Sequence, residues 1–269
     1  MGHFSKGKAF IASGVGAVVG GLSVFYGVNS IYGLPISQWD YNWDKRQPDS
    51  LVKPEKSDDL SKQNEYNEKL SKTRSKASRH IIMIRHGQYN LAGVTDVERK
   101  LTVLGEKQAL ATGERLRELN YPYTSIVHST MTRAIQTAKL IHKFLPELPV
   151  KDDSILEEGA PCIPEPKHSH WKPELYVFRD GARIEAAFRK YIHRAPPEQI
   201  HDSYDILVCH GNVIRYFVCR ALQLPPNAWL RLSINHASIT WICIRPDGKV
   251  SLRTYSDAGH MPPDYITTS

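Results

Sequence analysis

From His80 onward, short apolar runs alternate with stretches of helical period, and turn-forming residues separate them. Ile81 to Ile84, bounded by basic residues, predicts a buried strand, and Leu104 to Leu119, with small or apolar positions at Ala109, Thr112, Leu116 and Leu119, predicts a helix. Ser125 to His128 reads as a second strand and Thr132 to Leu145 as a second helix. Ile184, Phe188 and Tyr191 mark a third helix by their i, i+4, i+7 spacing. Tyr204 to Cys209 is a further strand, and Val213, Phe217 and Ala221 mark a fourth helix. Ile239 to Ile244 and Lys249 to Tyr255 flank Pro246-Asp247-Gly248 as a hairpin. This order predicts an α/β fold, a three-layer αβα sandwich with a mainly parallel central sheet, in which ligands sit beyond the carboxyl ends of the strands.

Ahead of this region the pattern differs. Ala9 to Val28 is a run of 20 residues without a charge, and at about 1.5 Å per residue such a helix spans the roughly 30 Å of bilayer hydrocarbon. Small residues recur every fourth position, as Ala12, Gly16, Gly20 and as Ser13, Ala17, Gly21, the face of a closely packed membrane helix. A cleaved secretory signal fits less well, and so does myristoylation, because Lys6 stands where that motif wants Ser or Thr. Residues 1–28 are therefore expected to be a membrane anchor, with the span at 9–28, and residues 29–77 a linker. In the linker, Trp39-Asp40-Tyr41-Asn42-Trp43-Asp44 gathers three aromatics and two carboxylates. Two readings stay open for it: an edge packed on the domain's own core or the membrane surface, and a docking segment whose tryptophans anchor in a partner. A solvated helix is expected around Asp58 to Lys72, and a catalytic domain over residues 78–269.

Composition narrows the class. Of the 269 residues 41% are hydrophobic and 23% charged, which excludes a disordered, collagenous or polytopic membrane chain. The formal net charge of +7 favours anionic partners. Nucleic acid is not expected among them, for no zinc-finger, helix-turn-helix or aromatic-basic RNA signature is present. The four cysteines form no CxxC pair, and neither HExxH nor a Cys/His metal spacing occurs, so no metal is expected. Walker-type and dinucleotide-binding glycine loops are absent as well.

The chemistry concentrates at predicted strand ends. Arg85-His86-Gly87 places a guanidinium, an imidazole and a permissive glycine after the first strand. An imidazole attacks phosphorus as a neutral nucleophile when an acceptor holds its other N–H, and arginine offers a planar fork to phosphate oxygens. Ser129 to Ala134 follows a strand and opens a helix, with Arg133 in its first turn. His210-Gly211-Asn212 repeats the strand, His-Gly, helix arrangement, so two histidines reach one crevice. Glu157 and Glu158 lie in a loop between and supply a carboxylate for protonating a leaving oxygen.

Over roughly His80 to Ser269 these residues resemble the histidine phosphatase superfamily, also called the phosphoglycerate mutase family. Besides Arg85-His86-Gly87, the blocks that carry the resemblance are Leu101-Thr102-x-x-Gly105-x-x-Gln108-Ala109, Ser129-x-x-x-Arg133-Ala134-x-x-Thr137-Ala138, and Cys209-His210-Gly211 with Ile214-Arg215. The resemblance implies a phosphoglycerate mutase-like fold, His86 as phosphohistidine nucleophile, and Arg85, Arg133 and the also catalytic His210 as the phosphate pocket. It implies Glu158 as proton donor with Glu157 its competitor, and no cofactor. Trp39-Asp40-x-Asn42-Trp43-Asp44, Ser169 to Glu174, Asp180 to Arg189 and Met261 to Asp264 resemble stretches of membrane-anchored mitochondrial Ser/Thr protein phosphatases within that family. That closer resemblance implies phosphoprotein substrates and homo-oligomers whose assembly through the Trp-Asp segment activates the enzyme. Tyr89 departs from the family, which usually has Thr or Ser there, and this disfavours small sugar phosphates. A small-metabolite phosphatase or mutase, and a membrane scaffold with a dead site, are the competing readings.

Overall fold

Strand β1, Arg79–Arg85, is buried on both faces, as a central strand must be, and its alternate side chains enter two different cores. Ile81 and Met83 join one cluster and Ile82 and Ile84 the other. In the computed structural model, which describes residues 38–56, 59–167 and 174–268, these two cores are the outer seams of a three-layer sandwich. Helices α3 (Val103–Leu119) and α4 (Thr132–His142) cover one face through Leu116, Ala138 and Ile141. Helices α5 (Glu174–Tyr191) and α6 (Gly211–Ala221) cover the other through Ile184, Phe188, Val213 and Phe217. Each such large side chain removed from water contributes about 1.5–3 kcal/mol.

Six strands make one sheet in the order β3-β2-β4-β1-β5-β6, with β2 at Ser125–His128, β3 at Val150–Asp152, β4 at Ser203–Cys209, β5 at Ile239–Ile244 and β6 at Val250–Asp257. The β3-β2-β4-β1 portion is parallel, whereas β5 pairs antiparallel with both β1 and β6, so the sheet is mixed. From the central pair, β1 leads through α3 toward β2 on one side, and β4 leads through α6 toward β5 on the other. Their carboxyl ends therefore meet at a switch point, the place where open α/β sheets bind ligands.

Two glycines lock this end of the sheet to a helix. A Cβ on Gly87 would meet the carbonyl oxygen of Gly105 at 2.5 Å, and one on Gly105 would meet that of Gln88 at 1.9 Å. Only bare backbone fits at either position, so the loop after β1 and the first turn of α3 sit in direct contact.

Within the expected linker, the described residues from Trp39 on belong to the same compact unit as the expected catalytic domain. The compact unit runs from Trp39 to Ser269, and it includes helix α1 at Pro48–Leu51 and helix α2 at Leu60–Thr73. Trp43 donates from Nε1 to the Gly248 carbonyl at 2.8 Å and packs on Phe188, with ring centroids 6.1 Å apart. Gly248 takes φ +85° in the β5–β6 hairpin, which brings its backbone against this segment. Asp44 and Arg194 form an ion pair at 2.6 Å with both side chains about fully buried. Asp40 exchanges two hydrogen bonds with the Gln223 side chain, and Asn42 caps the following turn by accepting from Gln47 N and Ser50 Oγ. The Trp-Asp segment thus seats on the domain of its own chain. The expected span at 9–28 and the stretch 168–173 lie outside the described residues. Among those described, no helix is long and apolar enough to cross a membrane.

Candidate active site

Register places the two histidines. Arg85 pairs with Cys209 across β1 and β4, so His86 and His210, each one residue further on, emerge side by side with ring centroids 5.1 Å apart. The neighbouring strand ends at His128, opposite Val208, and brings Ser129 to the same edge. Arg133 enters from the first turn of α4, where the helix dipole also favours an anion.

His86 is 2% exposed, and its ring is oriented by its own loop. Nδ1 lies 2.9 Å from the Gly87 carbonyl, an acceptor only, so Nδ1 carries the proton and Nε2 keeps a lone pair. Arg133 Nε donates to that Nε2 at 3.2 Å. Burial, followed by the charges around His210, Arg133 and Arg85, holds the imidazole well below the usual histidine range, so it is neutral at pH 7. The loop itself is pinned by Thr137, whose hydroxyl accepts from Gly87 N at 3.0 Å and donates to the Arg133 carbonyl at 2.7 Å. This explains why Thr137 and Arg133 recur in one helical block.

Close to His86 lie buried donors that make no hydrogen bond. Arg85 Nε, Arg133 Nη1 and His210 Nδ1 are all buried and make no hydrogen bond, Arg133 Nη1 lying 3.6 Å from Asp96 Oδ1. Arg85 is held by its other end, Nη1 donating to the carbonyls of Ile234 at 2.6 Å and Thr268 at 2.7 Å. Burial lowers its pKa to about 10, which still leaves it charged. His210 Nε2 lies 2.8 Å from Ser129 Oγ, which already accepts from Met131 N. The Ser129 proton is available to Nε2, an arrangement that puts the N–H of His210 on Nδ1. Unpaired buried donors cost stability unless something negative meets them, and a phosphoryl group has the oxygens to do so.

The two candidate acids separate. Glu158 accepts from Gly159 N at 3.1 Å and from Asn212 N at 3.4 Å, yet burial outweighs these bonds and the Arg133 and Arg85 charges and raises its pKa. Glu157 is occupied, accepting a short hydrogen bond from Thr130 Oγ1, and points its carbonyl at Arg183. Tyr89 does not merely remove a hydroxyl from this region. Its ring covers the Arg133 guanidinium at 4.7 Å and stands edge-on to His86 at 5.1 Å. The Trp-Asp residues 39–44 lie elsewhere, against α5 and the β5–β6 hairpin. Among the described residues no group of three or more His, Cys, Asp or Glu is arranged to hold a metal ion.

A third imidazole, His236, was not visible from the motifs. It lies just before β5, which runs antiparallel to β1 with Ile239 opposite Ile84, so its ring falls 5.7 Å from that of His86. The pairing of β5 with β1, which the hairpin pattern alone does not reveal, was the missing signal.

The family model of the histidine phosphatase superfamily (branch 1) matches residues 81–161 and 179–257. The chain is 50% identical over 256 residues to the serine/threonine-protein phosphatase PGAM5, mitochondrial, of Xenopus tropicalis, covering 95% of this chain and 91% of that one. It is 53% identical over 232 residues to the human protein of the same name, covering 86% and 80% respectively. Among solved structures, YhfR of Bacillus stearothermophilus superimposes with a TM-score of 0.53 at 20% identity, over 68% of this chain and 98% of that one, a likeness of fold.

Proposed function

The chain belongs to the histidine phosphatase superfamily, and on that footing we propose that it is a mitochondrial phosphatase of phosphoserine and phosphothreonine proteins that works through a phosphohistidine at His86. The observation that supports this reading most directly is the lone pair on His86 Nε2 in a pocket where buried N–H groups of Arg85, Arg133 and His210 make no hydrogen bond. In the first step Nε2 attacks phosphorus, the new P–N bond forming as the P–O bond to the seryl or threonyl oxygen breaks. Arg85, Arg133 and His210 compensate the charge on the equatorial oxygens. Glu158, whose raised pKa suits an acid, gives its proton to the leaving oxygen. In the second step the Glu158 carboxylate takes a proton from water, which attacks phosphorus and releases phosphate and neutral His86. The Arg85 and Arg133 guanidiniums supply positive charge, and the neutral His210 imidazole supplies a hydrogen-bond donor.

Protein substrates suit the surroundings better than a small metabolite. The loop from Gln88 to Glu98 that borders the site exposes Leu91, Val94 and Val97, which favour contact with a polypeptide flank. An anchor at 9–28 and self-association through Trp39, Asp40, Asn42, Trp43 and Asp44 complete the proposal. The seat this segment fills on its own domain is equally suited to the same segment of a second copy, an exchange that links subunits at little cost. Loss of mass by light scattering in W39A/W43A, together with lost activity, is the expected result for that part.

For the chemistry, the full chain is mixed with a labelled phosphothreonine peptide and quenched. Acid-labile phosphate is expected on the wild type and none on H86A, which should not turn over. E158Q should lose about 10²- to 10⁴-fold on the peptide and far less on an aryl phosphate, whose leaving group needs little protonation. Label retained on H86A, or turnover of 3-phosphoglycerate exceeding that of the peptide, would overturn the reading.

A further inference from the structure

His236 is the one imidazole beside the nucleophile that the reading above leaves without a task. It is 1% exposed, and its ring lies 5.7 Å from His86, little farther than that of His210. Its Nε2 is buried and has no partner. The other nitrogen, Nδ1, lies 2.8 Å from the Thr267 hydroxyl.

A chain of hydrogen bonds leads from the loop after β1 to Nδ1. Gln88 N donates to Gln108 Oε1 at 2.8 Å, which fixes the amide so that Gln108 Nε2 donates to the Tyr265 carbonyl at 2.6 Å and to Thr267 Oγ1 at 2.9 Å. Thr267 Oγ1 accepts from Gln108 and keeps its own proton, which His236 Nδ1 can accept. In that arrangement the N–H of His236 is on Nε2, unspent. Ser129 does the same for His210 from the opposite side of the pocket, with Met131 N as the donor behind it. Burial, together with the Arg85 charge beside it, pushes the His236 pKa down to about 3, so the ring is a neutral donor at working pH.

The backbone that carries His236 is also unusual. Ala237 has φ +52°, a conformation costly for a residue with a Cβ, and its N–H reaches the His86 carbonyl at 3.3 Å. His236 N donates to the Thr267 carbonyl at 2.8 Å, so both main chain and ring are tied to the same residue. Strain of this kind persists where surrounding contacts over-determine it, and it gathers at functional sites.

We propose that His236 is a further catalytic residue, its Nε2–H donating to the phosphoryl group as it moves onto His86, and that Thr267 is the positioning residue that fixes this tautomer. The inference rests on the reading of His86 as nucleophile. No bond is made or broken at His236; it acts as one more member of the donor set built by Arg85, Arg133 and His210.

The full chain is compared as wild type, H236A, H236Q and T267V on a phosphothreonine peptide and on an aryl phosphate, and in its inhibition by orthovanadate, which adopts the five-coordinate shape of the transferring group. H236A is expected to lose on the order of 10²-fold in kcat with KM nearly unchanged, and to bind vanadate more weakly by a similar factor. H236Q, whose amide N–H reaches a similar place, should recover part of both. T267V should lose about tenfold, the worth of one hydrogen bond. Wild-type kcat and vanadate inhibition in H236A would overturn the proposal, and so would a loss in H236A that H236Q does not relieve. Should H236A fail to fold, wild-type behaviour in folded T267V overturns it instead. H86A is run alongside: a dead H86A beside an unaffected H236A sinks this inference alone, whereas an active H86A sinks the reading beneath it.

Discussion

Arg194 and Arg133 are equally buried, at 2% and 3% exposure, and are used in opposite ways. Arg194, under the Trp-Asp segment, has a hydrogen-bond partner on each of its three nitrogens. Its Nε donates to the Asp44 carboxylate, Nη1 to Gln47 Oε1 at 2.9 Å, and Nη2 to Asp44 Oδ1 and the Tyr41 carbonyl, both at 2.6 Å. Arg133, at the end of the sheet, is underspent. Nε goes to a histidine lone pair, Nη2 to the weak acceptor Met131 Sδ, and Nη1 stands 3.6 Å from Asp96 Oδ1 without a hydrogen bond. A charge buried for architecture is paired with a carboxylate, because each orphaned N–H costs stability. A charge buried for chemistry keeps donors in reserve, and the rest of the fold carries the cost. The degree of saturation separates the two roles where burial and residue type do not.

The largest effect should come from breaking the pair of Asp44 and Arg194. Asp44→Ala leaves Arg194 buried and uncompensated, and about 3–5 kcal/mol is expected to be lost, by analogy with other broken buried pairs. Chemical denaturation should register that loss, and hydrogen exchange should place it at residues 41–47. If the change costs under about 1 kcal/mol, Arg194 is not architectural in the sense argued. Next, Arg133→Met should cost about 10²- to 10³-fold in kcat while the melting temperature does not fall, since an underspent charge is exchanged for apolar packing. A marked drop in Tm would place Arg133 with Arg194 after all.

The smallest effect is a difference in acid response. At the catalytic end, burial and the neighbouring positive charges hold His86, His210 and His236 below the unfolded value of about 6.5, so the unfolded chain binds more protons there as pH falls. That contribution is present above pH ~6.5 and drains away below it, by at most about 1.4 kcal/mol per pH unit for each ring kept neutral. At the Trp-Asp seat, burial pushes the Asp44 carboxyl up, but the hydrogen bonds and charge of Arg194 outweigh it and the net shift is downward from 3.8. Its contribution is lost only as pH falls below that value. Exchange protection measured between pH 7 and 4 should therefore fade first around residues 85–87, 210 and 236. Simultaneous loss in both regions would remove the distinction.

Much of this was legible in the sequence because local pattern and tertiary need agree. The strands that flank the site are short apolar runs, and the chemistry sits in the residues that follow them, so β1, β2 and β4 and the four residues Arg85, Arg133, His86 and His210 could be placed together. The rest failed for identifiable reasons. Strand β3, Val150–Asp152, is exposed along its length and carries no apolar signal. Helix α4 was expected to reach Leu145 but ends at His142, where the chain tightens into turns from Phe144 N to Ile141 O and Leu145 N to His142 O while Leu145 still packs on the core. Trp39 to Asp44 left two readings open because its partner Arg194 lies 150 residues away in no periodic pattern. His236 and Thr267 depend on which strands are neighbours, and no local period encodes that.

The Arg85 guanidinium has a consequence for how the protein comes into being. It is fastened to carbonyls 149 and 183 residues further along the chain, and His86 waits on a strand partner emerging more than a hundred residues after it. Closing loops of that length precedes any reward from the contacts they make, so the reactive centre is among the last things to form. A ribosome that has released the nucleophile, its helix and half of the sheet has therefore made no enzyme. Until residues near 268 join the fold, the Arg85 guanidinium lacks the second of the two carbonyls that hold it.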